Sequence, residues 1–447
     1  MGQNPGQHEV QGTKLIQLYP TERWEPHVPA PFLGKTGYVM EHDYFPVAGL
    51  VRGQVDLSNS VRCRVNGTDS LPDVRTPMIQ EAIEHCQRAH TKRPDSITLI
   101  VAEGEHALYA TTGEDGSDSP GFKISRGISG WRGWLLPFNP AGLPKRVFNN
   151  IYEPRPGDLS VLPTYHLAYL FRAPWERPNT KADWHKVQRI LQGKWPEPFP
   201  LIERIAPTVW PALAAYDTEF YQTDDNYAAP TRLIRWSLAT RSPVGVPRVW
   251  VVEAGLTDEI KSPRSPRVYF WNVEADIDHL TNMLGPEVCI EIEDAMFIHA
   301  ILWPDLGHKL DEAGSVYART NRWKHLVHSN PVVYAGGDAL GTLDVALPLK
   351  RELERDPRLK WIYEHLTLPL VPIINRGRKV GSRLHQGRVV QALEELDVIQ
   401  AELTEQAQAY TGYPINLGSS DQVAQWLYDV EQVHLNPLTG RKRRVRR

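Results

Sequence analysis

The chain has 447 residues, of which 41% are hydrophobic and 23% charged, with 14 Trp and a net charge of −3. That length exceeds what one core serves, so two or three domains are expected, and the composition excludes a largely disordered chain. Three cysteines, Cys63, Cys86 and Cys289, exclude a disulfide framework, and the sequence offers neither a secretory signal nor a bilayer-spanning apolar run of about 18 residues, so a soluble, cytoplasmic protein is expected.

In chain order, residues 1–205 alternate short apolar runs with Gly and Pro loops, an α/β pattern with strands predicted at 97–102 and 158–164 and helices at 76–92 and 181–191. A Pro-rich stretch at 195–200 reads as a linker. A second α/β segment follows over 206–345, with strands at 210–220, 233–240 and 247–253 and helices after them. Beyond about residue 345 the pattern turns helical. Val389, Leu393, Leu396, Ile399 and Leu403 form one stripe of an amphipathic helix, for which ordinary helix packing is the expectation. The last seven residues are basic apart from Val445. A tail of that kind is solvated, yet able to touch phosphate.

Within 1–205, several side chains suit the handling of a base flipped from its stack, which needs an aromatic platform, an amide to read the base edge and a group to stabilise the departing anion. Phe32, Asn59 and His166 supply those functions, with Gln3 or Asn4 near the attacking water. One by one such residues are usually turn formers or core members. Their joint order resembles the uracil-DNA glycosylase superfamily, nearest its iron–sulfur branch. The resemblance implies a parallel sheet flanked by helices and base excision from DNA. Leu167 stands where that superfamily usually has Pro, and Cys63 and Cys86 match only two of the four cysteines that hold the branch's iron–sulfur cluster.

The central segment carries three acidic signatures in order: Asp217-x-Glu219, Asn272-x-x-x-Asp276 and Tyr334-x-x-x-Asp338. On a strand, residues i and i+2 face one side, so Asp217 and Glu219 point together. On a helix, i and i+4 share a face, which pairs Tyr334 with Asp338 and, by the same logic, Asn272 with Asp276. Each signature alone is commonplace surface. Together they supply the carboxylates and hydroxyl needed to hold two hard divalent cations, Mg2+ or Mn2+, about 3.5–4 Å apart and to orient a water. The set resembles the proofreading 3′-to-5′ exonuclease domain of family A DNA polymerases, and the likeness extends through residues 294–311 and 335–339. It implies a ribonuclease H-like fold with a mixed sheet. By residue, it implies Asp217, Glu219 and Asp338 on a first metal, Asp217 bridging to a second, Asp276 acting through water, and Tyr334 orienting the nucleophile. Asp224 and Asp225 read as loop residues.

Residues 346–447 resemble the helical start of the same family's polymerase module, through 368–377 and 415–424, without the palm, the fingers or the polymerase's own carboxylates. The expectation is therefore a DNA 3′-to-5′ exonuclease acting on single-stranded 3′ ends, with a polymerase module on another chain or a missing segment. The alternatives are a uracil-DNA glycosylase and a module that only holds DNA for a polymerase.

Overall fold

The computed structural model describes residues 11, 13–18, 22–28, 30–61, 71–88, 97–114, 127–143, 149–221, 232–254, 265–285 and 288–430. Gln3, Asn4, Cys63, Asp224, Asp225 and the basic tail lie outside these residues. The chain divides into a large unit, Met1–Arg378, and a small one, Lys379–Arg447. No described helix is long and apolar enough to cross a membrane.

The large unit begins with an antiparallel pair, β1 (Thr13–Gln17) and β2 (Arg23–Pro26). Next come helices α1 (Pro77–Arg88) and α2 (Glu105–Thr112), strands β3 (Leu99–Glu103), β4 (Leu136–Pro137) and β5 (Ser160–Thr164), and helix α3 (Arg177–Leu191). The three strands form one sheet in the order β3-β5-β4. Only β3 and β5 run parallel, because β4 closes the edge antiparallel. Among the described residues the expected parallel sheet is thus a single parallel pair plus a short reversed strand.

A six-stranded mixed sheet follows, ordered β11-β10-β7-β8-β9-β6. Its members are β6 (Ile202–Glu203), β7 (Leu213–Tyr221), β8 (Arg232–Arg241), β9 (Pro247–Glu253), β10 (Arg267–Phe270) and β11 (Glu291–Asp294). Strands β7, β8 and β9 are antiparallel neighbours, whereas β10 lies parallel to β7 and to β11. Strand alternation then sorts the side chains of β7 onto two faces. Ala214 and Tyr216 join Trp236, Val273, Ile277 and Leu280 in one core, against helix α4 (Val273–Leu284). Ala215 joins Ala335, Ala339, Leu340 and Leu343 in another. Helices following in this part of the chain include α5 (Ala295–Leu302), α6 (Leu310–Tyr317), the long α7 (Pro331–Leu353) and α8 (Leu368–Val380).

The two α/β segments share one interior. Ala102, Trp131, Trp134 and Val161 from the first pack in the same apolar cluster as Ile298, Leu310, Trp323 and Val345 from the second. A buried polar seam runs alongside it. Arg132 Nη1 donates to Asp183 Oδ1 at 2.8 Å, and Arg132 Nη2 donates to Ser315 Oγ at 2.5 Å. Thr164 Oγ1 donates to Asp183 Oδ2 at 2.8 Å, Lys186 Nζ to the Ser315 carbonyl at 2.7 Å, and Asn321 Nδ2 to the Leu135 carbonyl at 2.9 Å. The Pro-rich stretch read as a linker is itself pinned: the Glu197 amide donates to the Arg319 carbonyl at 2.8 Å, and Arg241 reaches the Glu197 carboxylate at 2.8 Å. A flexible linker would carry no such paired backbone.

In the small unit, α9 (Gln386–Thr411) is followed by a short helix, Ser420–Gln425, which the Ser419 side chain caps by accepting from the Gln422 amide. The stripe on α9 differs from expectation. Its members Val389, Leu393, Leu396, Ile399 and Leu403 all remain exposed, because no other described part of this unit covers them.

Candidate active site

Three of the predicted acids converge. Candidate ligand oxygens of Asp217, Glu219 and Asp338 all lie within 4.8 Å of one another. The convergence follows from two local rules acting together. Asp217 and Glu219 continue the Ala215 face of β7, and that face is covered by α7, whose Asp338 sits one helical position before Ala339 in the shared core. Asp276 arrives from the opposite face. It lies in the first turn of α4, and its Oδ1 accepts from both the backbone amide of Thr218, at 3.0 Å, and the Thr218 hydroxyl. Thr218, between the two β7 acids, points to the other side and so ties the second signature to the first.

Asn272 corrects the sequence reading. It stands at the N-cap position before α4 with φ 72, in the left-handed region, and does not share a helical face with Asp276. The helix starts one residue later than the i, i+4 argument requires. Its turn is held instead by Asp294, whose Oδ2 accepts from the Val273 amide at 2.6 Å.

Electrostatically the nest is costly, and the cost has a source. Burial, reinforced by the charges of Asp338, Asp276 and Glu219, pushes the Asp217 carboxyl well above its usual range. Burial and then the Asp338 charge raise Glu219 to about 7. Burial also lifts Asp276 to about 7, against the two Thr218 hydrogen bonds. Asp217 Oδ2 is buried with no hydrogen-bond partner. A buried, orphaned carboxylate oxygen among like charges is what a hard cation's ligand set looks like, so these residues fit a divalent ion.

Two further residues belong to the site, and no spacing in the sequence marked them. Trp323 Nε1 donates to Asp338 Oδ1 at 2.7 Å, and Lys324 Nζ lies 2.6 Å from the same oxygen. Lys324 also donates to the Tyr334 hydroxyl at 3.3 Å, with its ammonium 4.9 Å from the centre of that ring. Burial raises the Tyr334 phenol above its usual range, which keeps it protonated and able to donate. On the other side, Arg235 faces Glu219 across the β7/β8 ladder and lies 3.6 Å from Glu253.

Trp323 owes its place to glycine. A Cβ at Gly337 would stand 2.4 Å from the indole, and one at Gly341 only 2.2 Å from it. Gly341→Ala is expected to push the ring off α7, breaking the bond to Asp338 and destabilising the unit by about 1–3 kcal/mol. Thermal unfolding together with indole fluorescence reads both effects. An unchanged spectrum and midpoint would mean that the ring is not packed as described.

The side chains singled out in 1–205 have structural surroundings. Phe32 is 4% exposed, in an apolar cluster with Leu162 and Leu167, and adopts φ 58. Asn59 is buried, and His166 accepts through Nδ1 from the Ala168 amide at 3.2 Å, capping the short helix that follows β5. Burial lowers the His166 imidazole to about 4. Cys86 is buried in an apolar cluster. The sequence reading missed Glu103, at the end of β3, which is 1% exposed with an unpartnered Oε2 and is pushed by burial to about 7.

Since the folded-state pKa of Glu103 exceeds its unfolded value, its favourable contribution is complete below about 4.5 and is lost as pH rises through about 7. At about 1.4 kcal/mol per pKa unit, the loss by pH 8 is about 3 kcal/mol. Glu103→Gln should flatten that part of the curve. Chemical denaturation of both proteins between pH 4 and 8 checks it, and parallel curves would count against the buried-acid assignment.

A 95-residue stretch, 21% of this chain, is 32% identical to the thermostable DNA polymerase I of Thermus thermophilus and covers 11% of it. Part of this chain is related in sequence to DNA polymerase I. The polymerase I of Chloroflexus aurantiacus matches equally, at 32% over 95 residues and 10% of its length. The chain therefore spans about a tenth of the length of these curated relatives. No family model matches. Among solved structures, the POL domain of Pol1 from M. smegmatis, in complex with DNA primer-template and dNTP, aligns at TM-score 0.35 and 18% identity, over 49% of this chain and 36% of that one. Brucella melitensis NrnC with bound Mg2+ aligns at TM-score 0.30 and 19% identity, over 41% of this chain and 98% of its own. Escherichia coli RNase D, an exoribonuclease, aligns at TM-score 0.28 and 18% identity, over 38% and 45%.

Proposed function

We propose that the large unit hydrolyses phosphodiester bonds from the 3′ end of single-stranded DNA, as a two-metal 3′-to-5′ exonuclease of the proofreading type. The observation that carries this reading is the convergence of Asp217, Glu219 and Asp338 within 4.8 Å, with a buried carboxylate oxygen left unpaired. The sequence relation to DNA polymerase I favours DNA as the strand. Mg2+ or Mn2+ ions held there would supply a water of lowered pKa and offset charge on the leaving oxygen.

The chain's own groups do the rest. Asp217, Glu219 and Asp338 bind the ions, and Asp276, fixed by Thr218, acts through water. Tyr334, neutral at physiological pH, orients the attacking water through its hydroxyl. The helical segment beyond residue 345 is the part that would meet a polymerase module on another chain or segment. Phe32 packs in an apolar cluster and His166 caps the helix after β5, whereas the carboxylate nest alone carries this reading.

The test is a 5′-labelled single strand incubated with the full chain in Mg2+ or Mn2+. A ladder shortening from the 3′ end, abolished by EDTA and restored by excess Mn2+, is the expected result. Trimming that persists in EDTA would overturn the reading.

A further inference from the structure

One oxygen of the site has two suitors already. Asp338 Oδ1 accepts from Trp323 Nε1 and is in contact with the Lys324 ammonium, 2.6 Å away. A divalent ion gripped by Asp217, Glu219 and Asp338 would place a second, larger positive charge within a few ångströms of that ammonium, and like charges at such a distance repel strongly in a buried site. The two cations cannot share the nest without cost.

We propose that Lys324 is a resident counter-cation of the acidic nest, which a divalent ion must displace from Asp338, so that the lysine acts as a brake on metal loading. This rests on the two-metal reading above. The local structure suits an exchange. Trp323, next to the lysine in the chain, and Leu326, two residues after it, are fully buried and anchor the backbone, whereas the Lys324 side chain keeps 21% of its surface exposed. The backbone stays fixed while a flexible four-carbon stem has a route outward. Once off Asp338, the ammonium remains beside the Tyr334 ring, whose face can hold it.

A purely positioning lysine predicts the opposite sign. If Lys324 served to aim Asp338 and Tyr334 at the metal, its removal would weaken metal binding. As a brake, its removal strengthens binding. The decisive measurement is Mn2+ affinity of the full chain, without substrate, by electron paramagnetic resonance titration. Lys324→Met is expected to bind Mn2+ at least about tenfold more tightly than the native protein, and Lys324→Arg, which keeps the charge, to stay near native affinity. Should the Met variant aggregate, Lys324→Gln reads the same quantity. Tight Mn2+ binding that is unchanged or weakened by Lys324→Met would overturn the brake and leave the exonuclease reading standing. Absence of Mn2+ binding in both the native protein and the variants would overturn both.

Discussion

Asp217→Asn is expected to lower strand trimming by on the order of a thousandfold, about 4 kcal/mol of barrier, while leaving the unfolding midpoint unchanged or higher. The two halves of this result come from the same cause. Asp217 is the acid most crowded by others, with burial and the charges of Asp338, Asp276 and Glu219 all opposing its ionisation. Such a charge is tolerated where function requires it and is a burden to the fold otherwise. Under the proposed function, replacing it with a neutral isostere would remove a metal ligand and relieve the repulsion together. The measurement pairs single-turnover trimming rates with thermal unfolding at pH 8. Retained activity would remove Asp217 from the site, and a large drop in midpoint would show that its charge is paired after all.

Arg132→Met is expected to destabilise the large unit by about 3–5 kcal/mol, the largest stability effect anticipated in the molecule. Arg132 is 3% and Asp183 1% exposed, so truncating the arginine leaves an acid buried beside Thr164 and Lys186 without its guanidinium partner. Removing both charges, as in Arg132→Met with Asp183→Leu, should recover much of the loss, since a buried pair is costly chiefly when broken. Because Arg132 Nη2 also binds Ser315, the damage spreads to the segment that carries the acidic nest. Urea denaturation of the single and double variants provides the check. A single-variant effect under about 1 kcal/mol would mean that the seam is not tight, and the two α/β segments would then be expected to melt separately.

The carboxylates were legible because their geometry is local. The strand predicted at 210–220 became Leu213–Tyr221, and the i, i+2 rule put Asp217 and Glu219 on one face of it. Tyr334 and Asp338 likewise share the helix Pro331–Leu353. Asn272 failed for an equally local reason: its backbone adopts a left-handed conformation just before α4, which spacing alone does not reveal.

Other features lay beyond any reading of the sequence. Lys324 meets Asp338 only because a short turn folds back over α7, and Trp323 lies there only because Gly337 and Gly341 leave room for the indole. The Pro-rich stretch at 195–200 reads as a linker from composition, yet Arg241 and Arg319, distant in the chain, hold it in place. Periodicity and residue type determined by themselves which acids could act together, since both rules concern neighbours a few residues apart. Which cation stands beside those acids, and that the two α/β segments share one interior, was decided only by the tertiary structure, because burial and charge depend on what long-range packing brings near.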